Sequence, residues 1–142
     1  MKALKTLLLY ILGMAVLSSC EDILEVPDIS DREVALVAPL EGAEVRQSPV
    51  TFTWNGIADA DAYWVQIATP NFTNAAQVLL DSVVVLDSTF LGTRAVKALT
   101  NGEYEWRVKG LNSGFETVFS RSAFTVNAPE ETPTETPETE EE

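Results

Sequence analysis

The chain contains no histidine and a single cysteine, Cys20. Those two facts bound its chemistry. Without an imidazole there is no Ser-His-Asp triad, no Cys-His pair and no histidine ligand for a metal. A Ser-Lys pair would have to use Lys97 or Lys109, and no nucleophile-elbow sequence accompanies either. No glycine-rich phosphate loop is present. Paired carboxylates can cleave a glycoside, but that needs a cleft that a small β domain rarely builds. The residue types therefore predict a protein that is not an enzyme and that takes no cofactor or metal.

What remains is chemistry of binding and modification. Asp59 and Asp61 are two residues apart before an apolar segment. Such a pair can contribute to a calcium site, which needs about six to eight oxygens. Nothing nearby in sequence supplies the rest, so a solvated turn is the expectation. Trp64 is the one aromatic residue that alternation turns away from the core. Gln66 shares its face, as do Arg107 and Lys109 on a second segment. Trp64, Gln66 and Arg107 form the candidate binding platform, for a sugar ring or a protein partner. The plainer alternative is that Trp64 covers the stem of Arg107 in a cation–π contact. Asp81-Ser82-Val83 and Asp87-Ser88-Thr89 resemble a short O-glycosylation signal of some Gram-negative bacteria, which makes Ser82 and Ser88 candidate sites. Asn71-Phe72-Thr73 fits the N-glycosylation pattern.

The elements that must hold these residues are short and alternating. Residues 34–38 read as a strand, ended by Pro39 and Gly42. Val50, Phe52 and Trp54 face one way, with threonines between them. Tyr63, Val65 and Ile67 repeat the pattern. Residues 78–85 are a longer apolar run, read as two strands or one bent strand. Residues 89–91 form a short strand around Phe90. In residues 103–111, Tyr104, Trp106 and Val108 share one face, while Glu103, Glu105, Arg107 and Lys109 share the other. Residues 118–126 return as the last strand. No helical period occurs in this body. About seven strands at such spacing predict an all-β, seven-stranded antiparallel β-sandwich.

The flanks have a different composition. Residues 21–33 hold six acids and Arg32, and read as an acidic tether interrupted by Pro27. Residues 34–126 hold nine acids and six bases. Residues 127–142 hold seven glutamates and no base, with almost nothing to bury, and read as a disordered tail. An acidic chain of this kind repels nucleic acid. Ahead of the tether, Lys2 and Lys5 precede an apolar run over residues 7–17 that ends in Leu17-Ser18-Ser19-Cys20. Residues 1–19 therefore read as a secretory signal peptide, too short to span a bilayer. With one cysteine, no intrachain disulfide can form, so the domain must rest on its core.

Two resemblances sharpen this. Leu17-Ser18-Ser19-Cys20 resembles the lipobox of bacterial lipoproteins. The resemblance implies cleavage before Cys20, lipid (palmitate among its acyl chains) on that residue, and a membrane as partner. Glu21 and Asp22 after it resemble a signal that sends lipoproteins to the outer face of the outer membrane in one bacterial group; the periplasmic face is the alternative. Residues 34–126 resemble a fibronectin type III domain, an immunoglobulin-like fold. Pro39 with Gly42 and Phe52-Thr53-Trp54 match its first strands. Ala62-Tyr63-Trp64-Val65-Gln66-Ile67-Ala68 matches its third. Leu99-Thr100-Asn101-Gly102-Glu103-Tyr104-Glu105-Trp106-Arg107-Val108 matches the turn and strand of its tyrosine corner, with Tyr104 bonding to backbone upstream. Ser122-Ala123-Phe124-Thr125-Val126 matches its closing strand. The implied function is a cell-envelope lipoprotein with a non-catalytic binding or spacer module. The alternatives are a glycan-capture accessory of a polysaccharide uptake system, or a subunit of an envelope protein complex with a protein partner.

Overall fold

Alternating segments leave the chain few choices: each must bury one face, and a second sheet is the cover that shields it. In the computed structural model, which describes residues 25–86 and 93–129, every regular element is a strand. In chain order they are β1 (Leu36–Ala38), β2 (Ala43–Val45), β3 (Val50–Trp54), β4 (Ala62–Thr69), β5 (Gln77–Val85), β6 (Arg94–Lys97), β7 (Gly102–Leu111) and β8 (Ser120–Val126). They form a three-stranded sheet, β1-β3-β6, and a five-stranded sheet, β2-β8-β7-β4-β5. All neighbours are antiparallel except β2, which runs parallel to β8.

The expected inward residues make the core. Val50, Phe52 and Trp54 from one sheet meet Tyr63, Val65, Ile67, Tyr104, Trp106, Val108, Phe124 and Val126 from the other. Phe52 sits edge-on to Trp106, with ring centroids 5.2 Å apart, and to Phe124 at 5.6 Å. Trp54 packs against Tyr63 at 5.6 Å. The Trp54 Nε1–H is buried without a hydrogen-bond partner, whereas the polar ends of Trp106, Tyr104 and Tyr63 are bonded. The Trp106 Nε1–H donates to Pro39 O at 2.9 Å, and the Tyr104 hydroxyl donates to Thr100 O at 2.7 Å, four residues upstream. Tyr63 Oη accepts from the Ile57 N–H at 2.7 Å.

The strand count differs from the seven expected: the described residues form eight. Residues 43–45 are the first addition. After β1 the chain leaves one sheet and joins the other, turning at Gly42 with φ 74° and tied there by its N–H to Ala123 O at 2.8 Å. Three residues are too few to show a period. Residues 94–97 are the second, pairing with β3. The expected strand at 89–91 lies outside the described residues. Residues 78–85 belong to one strand, not two. Its pairing with β4 slips between Leu80 and Val78, so Leu79 is an extra residue in a bulge.

The segment read as a tether also has structure. Ile29 is fully buried, and Arg32 donates to Ala58 O at 2.6 Å and pairs with Asp59 at 3.1 Å. Asp28 Oδ1 accepts from the Ser30 N–H and hydroxyl, and those bonds hold its carboxyl below the ordinary value. The apolar residues among those acids are the reason: Ile29 is withdrawn from solvent and Val26 packs on Gly114.

Candidate functional site

The outer face of the five-stranded sheet carries the expected platform. Register, not sequence distance, assembles it. Trp64 lies between Val83 on β5 and Lys109 on β7. One row away, Gln66 lies between Asp81 and Arg107, and Arg107 is opposite Arg121 on β8. Successive residues on one face of a strand are two apart, so these rows are adjacent.

The side chains in these rows are bonded to one another. The Trp64 Nε1–H donates to Asp81 Oδ1 at 2.5 Å. The Arg107 Nε–H donates to Gln66 Oε1 at 2.8 Å, and Gln66 is buried. The Arg107 guanidinium lies 3.9 Å from the centroid of the Phe72 ring and 4.3 Å from that of Phe119. Lys109 Nζ lies 4.7 Å from the Trp64 ring and 4.9 Å from Phe119, and donates to Glu116 Oε2 at 2.6 Å. Trp64 and Phe119 meet edge to face at 5.7 Å. The result is an alternating stack of Phe72, Arg107, Phe119, Lys109 and Trp64. Each cation is held over aromatic faces, a contact worth about 0.5–2 kcal/mol as it becomes desolvated. Lys109 is buried, its side chain 8% exposed, and Glu116 supplies the counter-charge that burial requires.

Trp64, Gln66 and Arg107 are thus brought together, with Trp64 half-buried. The aromatic partner of Arg107 is not Trp64; Phe72 and Phe119 take that place, and the cation over Trp64 is Lys109. Neither phenylalanine was legible as part of the face. Phe72 is in the β4–β5 connection, where its N–H donates to Glu105 Oε2 at 2.8 Å, and Phe119 precedes β8. Alternation says nothing about side chains that fold back from a turn. The face also keeps exposed apolar surface: Val83 (52% exposed) and Val85 (62%) on β5.

The other candidates lie apart from this face. Asp59 pairs with Arg32, and its backbone has φ 64°. Asp61 joins two strands through its backbone, accepting from the Leu86 N–H and donating to Leu111 O, both at 2.8 Å. Among the described residues no group of three or more acidic or cysteine side chains could hold a metal ion. Ser82 is exposed on β5, opposite Val65. Ser88 and Cys20 lie outside the described residues.

No protein-family model matches the chain, and no curated protein matches it significantly. Among solved structures it is similar to CopC from Methylosinus trichosporium OB3b, with 19% sequence identity and a TM-score of 0.47, over 70% of this chain and 99% of that one.

Proposed function

We propose that this is a cell-envelope lipoprotein of the outer membrane, anchored by lipid on Cys20, whose domain is a non-catalytic binding module of fibronectin type III kind. Leu17-Ser18-Ser19-Cys20 supports the anchor, and several acyl chains on one residue would make it stable. The bond from Tyr104 to the carbonyl four residues upstream supports the domain type. The ligand is a protein surface. The observation that carries this is the aromatic–cation stack on the outer face of the five-stranded sheet. A sugar needs hydroxyl-binding groups free to turn toward it and an open ring to stack on. Here Gln66 and Arg107 bond each other and Lys109 lies over the Trp64 ring. What the face offers outward is ordered aromatic and aliphatic surface with exposed valines, the composition of protein-docking patches.

The test uses the intact lipoprotein in its own cells, with a photo-crosslinking amino acid at Val83. A specific crosslinked envelope protein, lost when Trp64→Ala and Val85→Asp are introduced, is the expected outcome. Tryptophan fluorescence titrated with a panel of polysaccharides gives the opposing one. A saturable shift that vanishes in Trp64→Ala would replace the protein-docking reading with glycan capture.

A further inference from the structure

The first described residues do not hang from the domain; they are fastened to one end of it. The Asn112 side-chain amide donates to Pro27 O at 2.8 Å and to Asp59 O at 3.1 Å, joining the incoming chain to the turn at 55–61. Arg32 adds two bonds to that turn. Ile29 is fully buried. Val26 packs on Gly114 so closely that a Cβ there would lie 3.3 Å from Val26 Cγ1. The bonds of Asn112 and Arg32 and the Val26 contact all fall on one pole of the sandwich, formed by residues 55–61 and 112–119.

Five residues separate Cys20 from Val26. At about 3.3–3.6 Å per residue, no conformation of that stretch can put the pole more than about 20 Å from Cys20. A loose tether running to residue 33 would allow more than twice that reach. The opposite pole, at Asn101 and Gly102, is the length of β7 further on. Ten residues of strand rise about 30 Å.

We infer that the domain stands on the pole of residues 55–61 and 112–119, held against the membrane surface by its docked N-terminal segment. This rests on the lipid-anchor reading of Cys20. The strands then point away from the bilayer, and the outer sheet face with Trp64 and Arg107 is displayed sideways, toward proteins rising from the same membrane. Val126, paired with Gly102, ends the last strand at the far pole.

The test imposes the anchor chemically, so that it does not depend on lipidation in the cell. The chain from Cys20 to Glu142 has one thiol, and that thiol is coupled to a maleimide lipid in phosphatidylcholine vesicles carrying an acceptor dye. A donor dye is placed by an azido amino acid at Ser113 or at Asn101. Transfer from position 113 should exceed transfer from position 101 several-fold. A long Gly-Ser insertion after Glu21 leaves every docking contact intact and should erase the difference. Ile29→Asp, checked by melting for a folded sandwich, should erase it too. Equal transfer from both positions in the unmodified chain, or a difference that survives the Gly-Ser insertion, overturns the inference. Fatty-acid labelling of cells carrying Cys20→Ser tests the anchor separately: labelling equal to that of the unaltered chain removes the membrane from the picture and leaves the docked segment standing.

Discussion

The three tryptophans differ in what surrounds them, and their substitutions should separate accordingly. Trp106 is fully buried and donates to the buried Pro39 carbonyl; Trp54 is buried against Tyr63 and Trp106. Trp106→Ala and Trp54→Ala should each cost about 3–5 kcal/mol, because each opens a cavity in a single small core. Trp64 is half-buried and touches Lys109, Phe119 and Asp81 from outside the sheet. Trp64→Ala loses an aromatic pair and a cation–π contact, each about 0.5–1.5 kcal/mol, without a core cavity. Denaturant midpoints of the three variants measure the contrast. A Trp64→Ala loss equal to that of Trp106→Ala would mean that the outer stack, and not the inter-sheet core alone, holds the five-stranded sheet together.

At the scale of elements, the docked N-terminal segment behaves as a ninth piece of the fold. It has no ladder hydrogen bonds to a sheet. Its attachment is Ile29, the Asn112 amide and the Arg32–Asp59 pair, and the pair is half-exposed on both sides and worth little by itself. Ile29 therefore carries most of the docking. Ile29→Ala should cost about 2 kcal/mol, the low end for a buried aliphatic, since the site lies at the edge of the body. Hydrogen exchange locates the effect. Amides of residues 26–32 and 112–116 should lose protection, while the centre of β7 keeps its own relative to the new global stability. Loss of protection confined to β1 and β3 would place the role of Ile29 elsewhere.

For the whole molecule, the boundary between domain and tail is set by hydrogen bonds and not by composition. The Asn127 N–H donates to Val45 O at 2.8 Å, and its side-chain amide donates to Glu44 at 3.0 Å. Ala128 exchanges two bonds with the Asn101 side chain. Removing residues 130–142 should leave the melting midpoint nearly unchanged, whereas removing residues 127–142 should lower it. Melting curves of the two truncations check this; equal midpoints would show that the clasp at 127–128 contributes nothing. The bond from Asn127, with Arg46 alongside, holds the Glu44 carboxyl below its ordinary 4.5. A depressed carboxylate stabilises the fold above its unfolded value and stops doing so as pH falls through the folded one. The gap between the two truncations should therefore begin to narrow as pH falls below that ordinary value.

Alternation in the sequence determined which residues are inside. Tyr63, Val65 and Ile67, and Tyr104, Trp106 and Val108, are all buried as their period requires, because a strand side chain has only two directions to choose from. The absence of histidine bounded the chemistry in the same direct way. The outer face was legible in part: Trp64, Gln66 and Arg107 do share it, since facing is a local property. What covers that face was not. Phe72 and Phe119 arrive from turns, Asp81 and Glu116 arrive through register and loop closure, and Ile29 was hidden in a run of acids. The strands β2 and β6 were missed because three or four residues paired to a distant strand leave no period to read. Each of these depends on contacts between residues far apart in the chain, and such contacts exist only once the two sheets have closed on each other.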